Sequence, residues 1–324
     1  MMSALYPLRF EPIFRRYIWG GRKLGTLLGK PIGEENDYAE SWEVVDRQDD
    51  QSRVVAGPLA GKTLSELVQE RGAELLGRHH PQSRFPLLFK YLDCEKVLSV
   101  QVHPSDELAA KMNPPDFGKT EAWVVVAAEP GSLIYAGLKR GMDRAALERE
   151  VQRGTCELCL NRFEPQAGDC LFLPAGMLHS LGAGLVIAEI QQSSDVTYRL
   201  FDWNRLGPDC QPRPLHVREA LEAINYKLVG IRPQAPRVTE RAGVERLVEC
   251  DKFVLDRWRI DGPGQLDADG RFHILSVLEG AVNVSGDPRG QPLKMGQTML
   301  LPAAALSCRL EPLARTTILD IYLP

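Results

Sequence analysis

The chain has no apolar run long enough to span a membrane, which argues against a helical membrane protein. Its first residues, MMSALYPLRFEPIFRRYIWGG, lack an apolar core followed by a small-residue cleavage site, so the protein reads as mature and cytoplasmic. There is no basic stripe or block. The formal net charge is -4, and no RNP-type or zinc-finger pattern occurs, so nothing points to nucleic acid. An anionic small molecule stays compatible, because local basic residues outweigh net charge at a site. No disulfide framework is visible either. The seven cysteines (Cys94, Cys156, Cys159, Cys170, Cys210, Cys250 and Cys308) are odd in number and scattered. Cys156 and Cys159 form a lone C-x2-C with no partner pair at zinc-finger spacing, and read as two reduced thiols. Histidine is scarce, with 6 in 324 residues, so each can be weighed by itself.

A segment that occurs twice stands out. GDCLFLPAGMLH, residues 168–179, and GQTMLLPAAALS, residues 296–307, each combine a Gly turn, an apolar strand ending in Leu-Pro, and a small-residue turn. The first ends in His179, a metal-binding side chain. The second ends in Ser307, a poor ligand for that job. Duplication of a strand-turn unit with one chemically silent copy predicts two related β-domains and one active site. A chain of 324 residues can hold both.

Short β-rich runs punctuated by Gly and Pro dominate from Leu87 onward, including PLLFKYL, KVLSVQVH, EAWVVVAA, DCLFLPA, GLVIAEIQQ and TYRLFDW. They predict a mostly β fold of jelly-roll or sandwich type with a few short helices. Thr63 and Glu66 have the capping-box form. Ser105 and Asp143 can cap two further helices, the second ending at Gly154, and Pro214 can open a fourth at its first turn. The Pro-rich polar stretch 231–243 is the expected linker. It would separate a catalytic domain, residues 1–230, from a smaller degenerate domain, residues 244–324. His273, Glu279 and Ser307 do not combine into a ligand set, so the second domain is expected to be structural.

Alternate strand residues share a face. In KVLSVQVHP this groups Ser99, Gln101 and His103, with Val100 and Val102 on the opposite layer. In GKTEAWVVV it groups Glu121 with Trp123 and Val125. His179 follows the LFLPAG strand end. These groups fall on three successive strand units, as a barrel-mouth site requires. Two imidazoles, a carboxylate and an amide oxygen suit Zn²⁺ or another divalent ion; the alternative is that each is satisfied separately, His103 by a backbone carbonyl and Glu121 by Lys119 or an arginine. His79 and His80 lie in a polar loop, His216 at a helix start, and His273 has no partner in its segment, so these four are read as non-ligands. Lys119 lies two residues before Glu121. Arg199, among Tyr198, Phe201 and Trp203, suits an anionic substrate or a developing oxyanion. Ser99 adds a hydroxyl. Glu189, on a face with Leu185, Ile187 and Gln191, is a carboxylate among apolar neighbours and suits a general base. The alternatives for these residues are a solvated Lys119, an Arg199 paired with Asp195 or Asp202, and a structural salt bridge at Glu189.

The strings IWGG (18–21), ESWE (40–43), LSVQVHP (98–104), GKTEAW (118–123), PAGMLHSLGAG (174–184) and QQSSDVTYRLFDW (191–203) resemble those of the type I mannose-6-phosphate isomerases, in the same order. The chain is similar to the compact bacterial form, without room for the large helical insertion of longer members. The resemblance implies a cupin fold, with the second copy a degenerate cupin, and one Zn²⁺ per chain. It implies His103, Glu121 and His179 as ligands, with Gln101 either a fourth ligand or a neighbour. It implies Arg199 as the catalytic arginine, Lys119 and Ser99 at the phosphate, and Glu189 as the proton carrier, with Lys119 or a metal-bound water as rivals. The implied reaction interconverts mannose 6-phosphate and fructose 6-phosphate through a cis-enediolate, so the expected partner is a small sugar phosphate, with no nucleic acid and no membrane. Two other classes fit a cupin with two histidines and a carboxylate. An Fe(II) oxygenase would have no evident need for Lys119, Ser99 and Arg199. A non-catalytic sugar-phosphate-binding cupin could dispense with Glu189 and Arg199.

Overall fold

The structure, a computed structural model, describes residues 5–207, 210–305 and 307–324. It consists of two jelly-roll units. A six-stranded sheet in the order Ile13–Gly21, Tyr38–Val44, Leu87–Cys94, Leu185–Gln192, Glu121–Ala128, Cys170–Leu173 faces a five-stranded sheet. The smaller sheet runs Tyr198–Phe201, Val100–Val102, His179–Leu181, Ile134–Leu138, Leu160–Phe163. The second unit repeats the plan. Its six-stranded sheet runs Arg237–Val238, Val244–Glu249, Val254–Ile260, Thr316–Tyr322, His273–Glu279, Thr298–Leu301, opposite a sheet of four.

The two large sheets have one connectivity. Taken in chain order, their strands lie as first, second, third, sixth, fourth, fifth across each sheet. The small sheets also agree, except that the first carries Tyr198–Phe201 as an added edge strand. The twelve-residue repeat is therefore the sequence trace of a duplicated topology.

Alternation explains the layering. In Glu121–Ala128, Ala122 and Val124 point into a core shared by the two large sheets, while Trp123 and Val125 point into the first barrel. The shared core joins Phe89, Tyr91 and Ile190 to Leu255, Ile274 and Ile321, and Tyr91 Oη lies 2.6 Å from Ser276 Oγ across it. The second barrel is filled by its own cluster, including Trp258, Leu275 and Met299. The outer face of the first small sheet is covered by helices carrying Leu147, Ala220 and Leu221.

The expected caps form. The Thr63 hydroxyl accepts from the Glu66 amide at 3.1 Å and the Glu66 carboxylate accepts from the Thr63 amide at 2.7 Å, opening Leu64–Leu76. Ser105 caps Asp106–Ala109, and Asp143 caps Arg144–Arg153, which ends on a left-handed Gly154. The fourth helix differs. It starts at Val217, not at Pro214. The His216 amide donates to Arg199 O at 2.7 Å and the Arg199 side chain donates to Pro214 O at 2.9 Å, so contacts with a strand keep residues 214–216 out of the helix. Within 231–243, the Gln234 amide donates to Cys170 O, and Arg237–Val238 adds an edge strand to the second large sheet.

Candidate metal and substrate site

The open end of the first barrel gathers residues from both its sheets. His179 pairs with Gln101 across the small sheet, and Gln191 with Glu121 across the large one. His103, Glu121 and His179 are buried, and one ligand atom from each lies within 4.8 Å of the others. His179 Nε2 is 3.4 Å from Glu121 Oε1, and His103 Nε2 is 3.5 Å from Glu121 Oε2. The second ring nitrogens are committed elsewhere. His103 Nδ1 lies 2.8 Å from Val196 O and His179 Nδ1 2.9 Å from Met177 O. A carbonyl only accepts, so each Nδ1 carries the proton and each Nε2 presents a lone pair to the cluster. Burial, then the nearby Lys119 ammonium, pushes His103 well below the ordinary histidine range. Burial likewise lowers His179. Burial works to raise Glu121, but the Lys119 ammonium 2.8 Å away leads the contacts that outweigh it and hold the carboxylate below its ordinary range.

This donor set fits a divalent cation. Among the described residues Glu121 Oε1 has no hydrogen-bond partner although it is buried, a costly state for a carboxylate oxygen. The Lys119 ammonium sits 2.8 Å from Glu121 Oε2 and 3.1 Å from His103 Nε2, so the cluster already draws a positive charge. Gln101 stands at its edge, with Nε2 3.5 Å from His179 Nε2 and Oε1 accepting from Ser99 at 3.2 Å.

A cavity of about 290 Å³ opens over the cluster and is lined by Ser99, Gln101, Lys119, Glu189 and Arg199 among others. Glu189 is buried. Its Oε2 accepts from the Trp123 indole at 2.9 Å, while Oε1 faces Lys90 at 3.3 Å and Lys119 at 3.7 Å. The structure thus brings every residue singled out in the sequence to one mouth. Three local readings change. Lys119 is buried among carboxylates instead of solvated. Arg199 makes no ion pair with Asp195 or Asp202, because Asp202 is taken by Arg205 and Arg213. The aromatic residues around Arg199 in sequence do not enclose it. Tyr198, Phe201 and Trp203 pack into the apolar cluster on the sheet's other side.

Two family models match the chain: "Phosphomannose isomerase type I, catalytic domain" over residues 8–122 and "Mannose-6-phosphate isomerase, cupin domain" over residues 244–317. The mannose-6-phosphate isomerase ManA of Bacillus subtilis (strain 168) is 34% identical over 315 residues, covering 94% of this chain and 96% of its own. The chain belongs to the type I mannose-6-phosphate isomerase family. The mannose-6-phosphate isomerase of Streptococcus mutans is 31% identical over 299 residues, 91% of this chain and 92% of that one. The crystal structure of the mannose 6-phosphate isomerase from Bacillus subtilis superposes with a TM-score of 0.90 at 30% identity, covering 98% of this chain and 100% of that one.

This member of the type I isomerase family also places residues at the mouth that sequence reasoning passed over. Lys90, Glu40, Asp195 and Arg213 line the cavity, with Tyr17 and Trp19 at its rim. Lys90 bridges Glu40 and Glu189, each at 3.3 Å. Burial opposes its charge, but those carboxylates outweigh it and hold Lys90 above the ordinary lysine range. A signal existed: Lys90 is a lone cation inside Leu87–Cys94, a strand buried along its whole length. Such a residue must be paired.

Proposed function

We propose that the chain is a metal-dependent aldose-ketose isomerase interconverting mannose 6-phosphate and fructose 6-phosphate in the cytoplasm. One observation carries the reading. A His-carboxylate-His cluster with two inward lone pairs opens onto a cavity that also holds a buried carboxylate, Glu189, ion-paired with Lys90 but with one oxygen outside hydrogen-bond geometry, and an arginine, Arg199.

His103, Glu121 and His179 would hold the metal, zinc as the family resemblance implies, with Gln101 beside them. When bound, the ion supplies a Lewis acid for the substrate oxygens. The chain's own residues do the rest. Glu189 is fixed by the Trp123 indole on one oxygen, and its other oxygen has no hydrogen-bond partner among the described residues. That oxygen would take the proton from C2 of mannose 6-phosphate and return it to C1, through a cis-enediolate. The hydroxyl proton moves from O2 to O1 in compensation, and the carboxylate ends as it began. Lys119, 3.7 Å from Glu189, is the rival carrier. Arg199 donates to Pro214 O through one nitrogen and has its Nε unpartnered among the described residues, so the guanidinium can add a donor to the enediolate. Ser99 and Lys119 would meet the phosphate. Lys119 is engaged by Glu121, so its share of that contact requires the substrate to displace part of this network. Strands carry Glu189 and Arg199, Ser99 and Lys119 lie just before two further strands, and such positioning lowers the barrier further.

The decisive experiment pairs elemental analysis with an isomerase assay on His179→Ala. Metal and turnover should both be lost while circular dichroism keeps the β signature. Stoichiometric metal in that variant would reject the assignment.

A further inference from the structure

The mouth of the second barrel is larger than that of the first, a cavity of about 720 Å³. Sheet register shows what occupies each equivalent position. Leu173 and Leu301 correspond in the repeat. Leu173 pairs with Glu121 and Leu301 with His273, so His273 takes the place of Glu121. The next strand puts Asp320 where Glu189 lies, and the one beyond puts Asp256 at Lys90 and Trp258 at Leu92. His273, read as a non-ligand with no partner in its own segment, is partnered from outside its strand. Its Nδ1 lies 2.7 Å from Asp320 and its Nε2 3.3 Å from Asp269. With both ring nitrogens committed to carboxylates, the imidazole offers a metal no lone pair. The metal cluster has been replaced by a polar, aromatic-walled cup.

We propose that this second mouth binds a neutral pyranose, at a site separate from the one proposed for catalysis. Three features carry the inference. Charges nearly balance around the cavity: six carboxylates, among them Asp256, Asp269 and Asp320, face four arginines and His273. A phosphate would meet the carboxylates, whereas hydroxyls can donate to them and accept from the cations. Second, two aromatic rings line the mouth, Trp258 and Tyr322, where the first barrel has Leu92 and Gln191. The Arg241 guanidinium lies 4.8 Å from the Trp258 ring and that of Arg271 4.4 Å from the Tyr322 ring. Arg241 is partly exposed but donates to Gln265 O at 2.8 Å and to Asp267 at 2.7 Å, so a sugar whose C–H face meets the Trp258 ring must displace those contacts. Third, Trp258 is buried on the strand face it shares with Asp256, and its Nε1 has no hydrogen-bond partner among the described residues. A buried indole donor left unpaired is costly unless a ligand or water answers it.

The test is saturation-transfer NMR on the full chain with D-mannose as probe, alongside the isomerase assay. Wild type should bind mannose. Trp258→Phe keeps a ring and loses the N–H, and should weaken mannose binding by about tenfold. Thr239→Trp, at the rim, should abolish it by filling the cup. Both variants should isomerise mannose 6-phosphate at the wild-type rate, so failure here is separable from failure of the catalytic reading. No mannose signal in wild type would overturn the proposal. So would a signal unchanged in both variants, which would place the sugar elsewhere. If mannose 6-phosphate bound the second mouth better than mannose, the neutral-ligand assignment would be wrong.

Discussion

The two barrels share a strand order and differ at their mouths. The first ends in His-Glu-His with lone pairs converging; the second puts Asp269, His273 and Asp320 in a carboxylate-imidazolium-carboxylate row. The scaffold is indifferent to the change because both sets sit on strands or on the residues flanking them at the barrel's open end, His103 just after Val100–Val102 and Asp269 in the loop before His273–Glu279, above a core filled largely by other residues. In the first barrel burial keeps both imidazoles neutral. In the second, burial opposes the charge, but Asp320 and Asp269 outweigh it and push His273 up to about 9. One residue type thus serves as ligand or as cation according to whether one carboxylate is shared by two histidines or two carboxylates flank one. The first barrel also has the added edge strand that brings Arg199; the second shows no counterpart among the described residues.

The comparison breaks most sharply at Glu121. Glu121→Ala should bring turnover to the assay background and strip the metal, since two facing imidazoles lose the charge they share. Normal metal content by elemental analysis would show that the cluster is not the ligand set. Next comes Arg199→Ala, expected to lower kcat by about 10²–10³ with a modest change in KM, as for other single donors to a developing oxyanion. Arg199→Lys should not restore it, because the planar fork is lost. A steep rise in KM at constant kcat would make Arg199 a phosphate anchor instead.

In the second barrel the same operation should cost stability and spare chemistry. His273→Gln leaves Asp320 buried without its cation, and breaking such a pair typically costs about 3–5 kcal/mol. The folded pKa lies above the unfolded one, so this contribution is full below pH 6.5 and fades as pH rises through about 9. Urea denaturation at pH 6 and pH 10 should therefore show the gap between wild type and variant shrinking at the higher pH. A constant gap would mean that His273 acts by packing and not by charge. The smallest effect is expected at Ser307, which stands where the first copy has His179 and is exposed. Ser307→Ala should leave turnover within the scatter of wild type; a large fall at unchanged stability would reveal chemistry in the second copy.

Much of the site was legible because face alternation is a local property. Ser99, Gln101 and His103 share a face by spacing alone, as do Glu121 and Trp123. What the sequence hid were partners supplied by distant segments. Lys90 needs Glu40 and Glu189, 50 residues before it and 99 after it in the chain, and Asp320 lies 47 residues from His273. The same blindness misplaced the helix expected from Pro214, where contacts with Arg199 override a local start signal.

The amino-acid order by itself determined most strands, the caps at Thr63, Ser105 and Asp143, the duplicated unit and the side chains each strand presents to its barrel, because pleat period, capping and turn chemistry act within a few residues. Only the tertiary structure decided which faces meet. Strand pairing set Glu189 against Lys90, laid His273 between two carboxylates, and gave both barrels one connectivity. Register is fixed by burying whole faces against segments far along the chain, and that is a property of the packed sheets, not of any one strand.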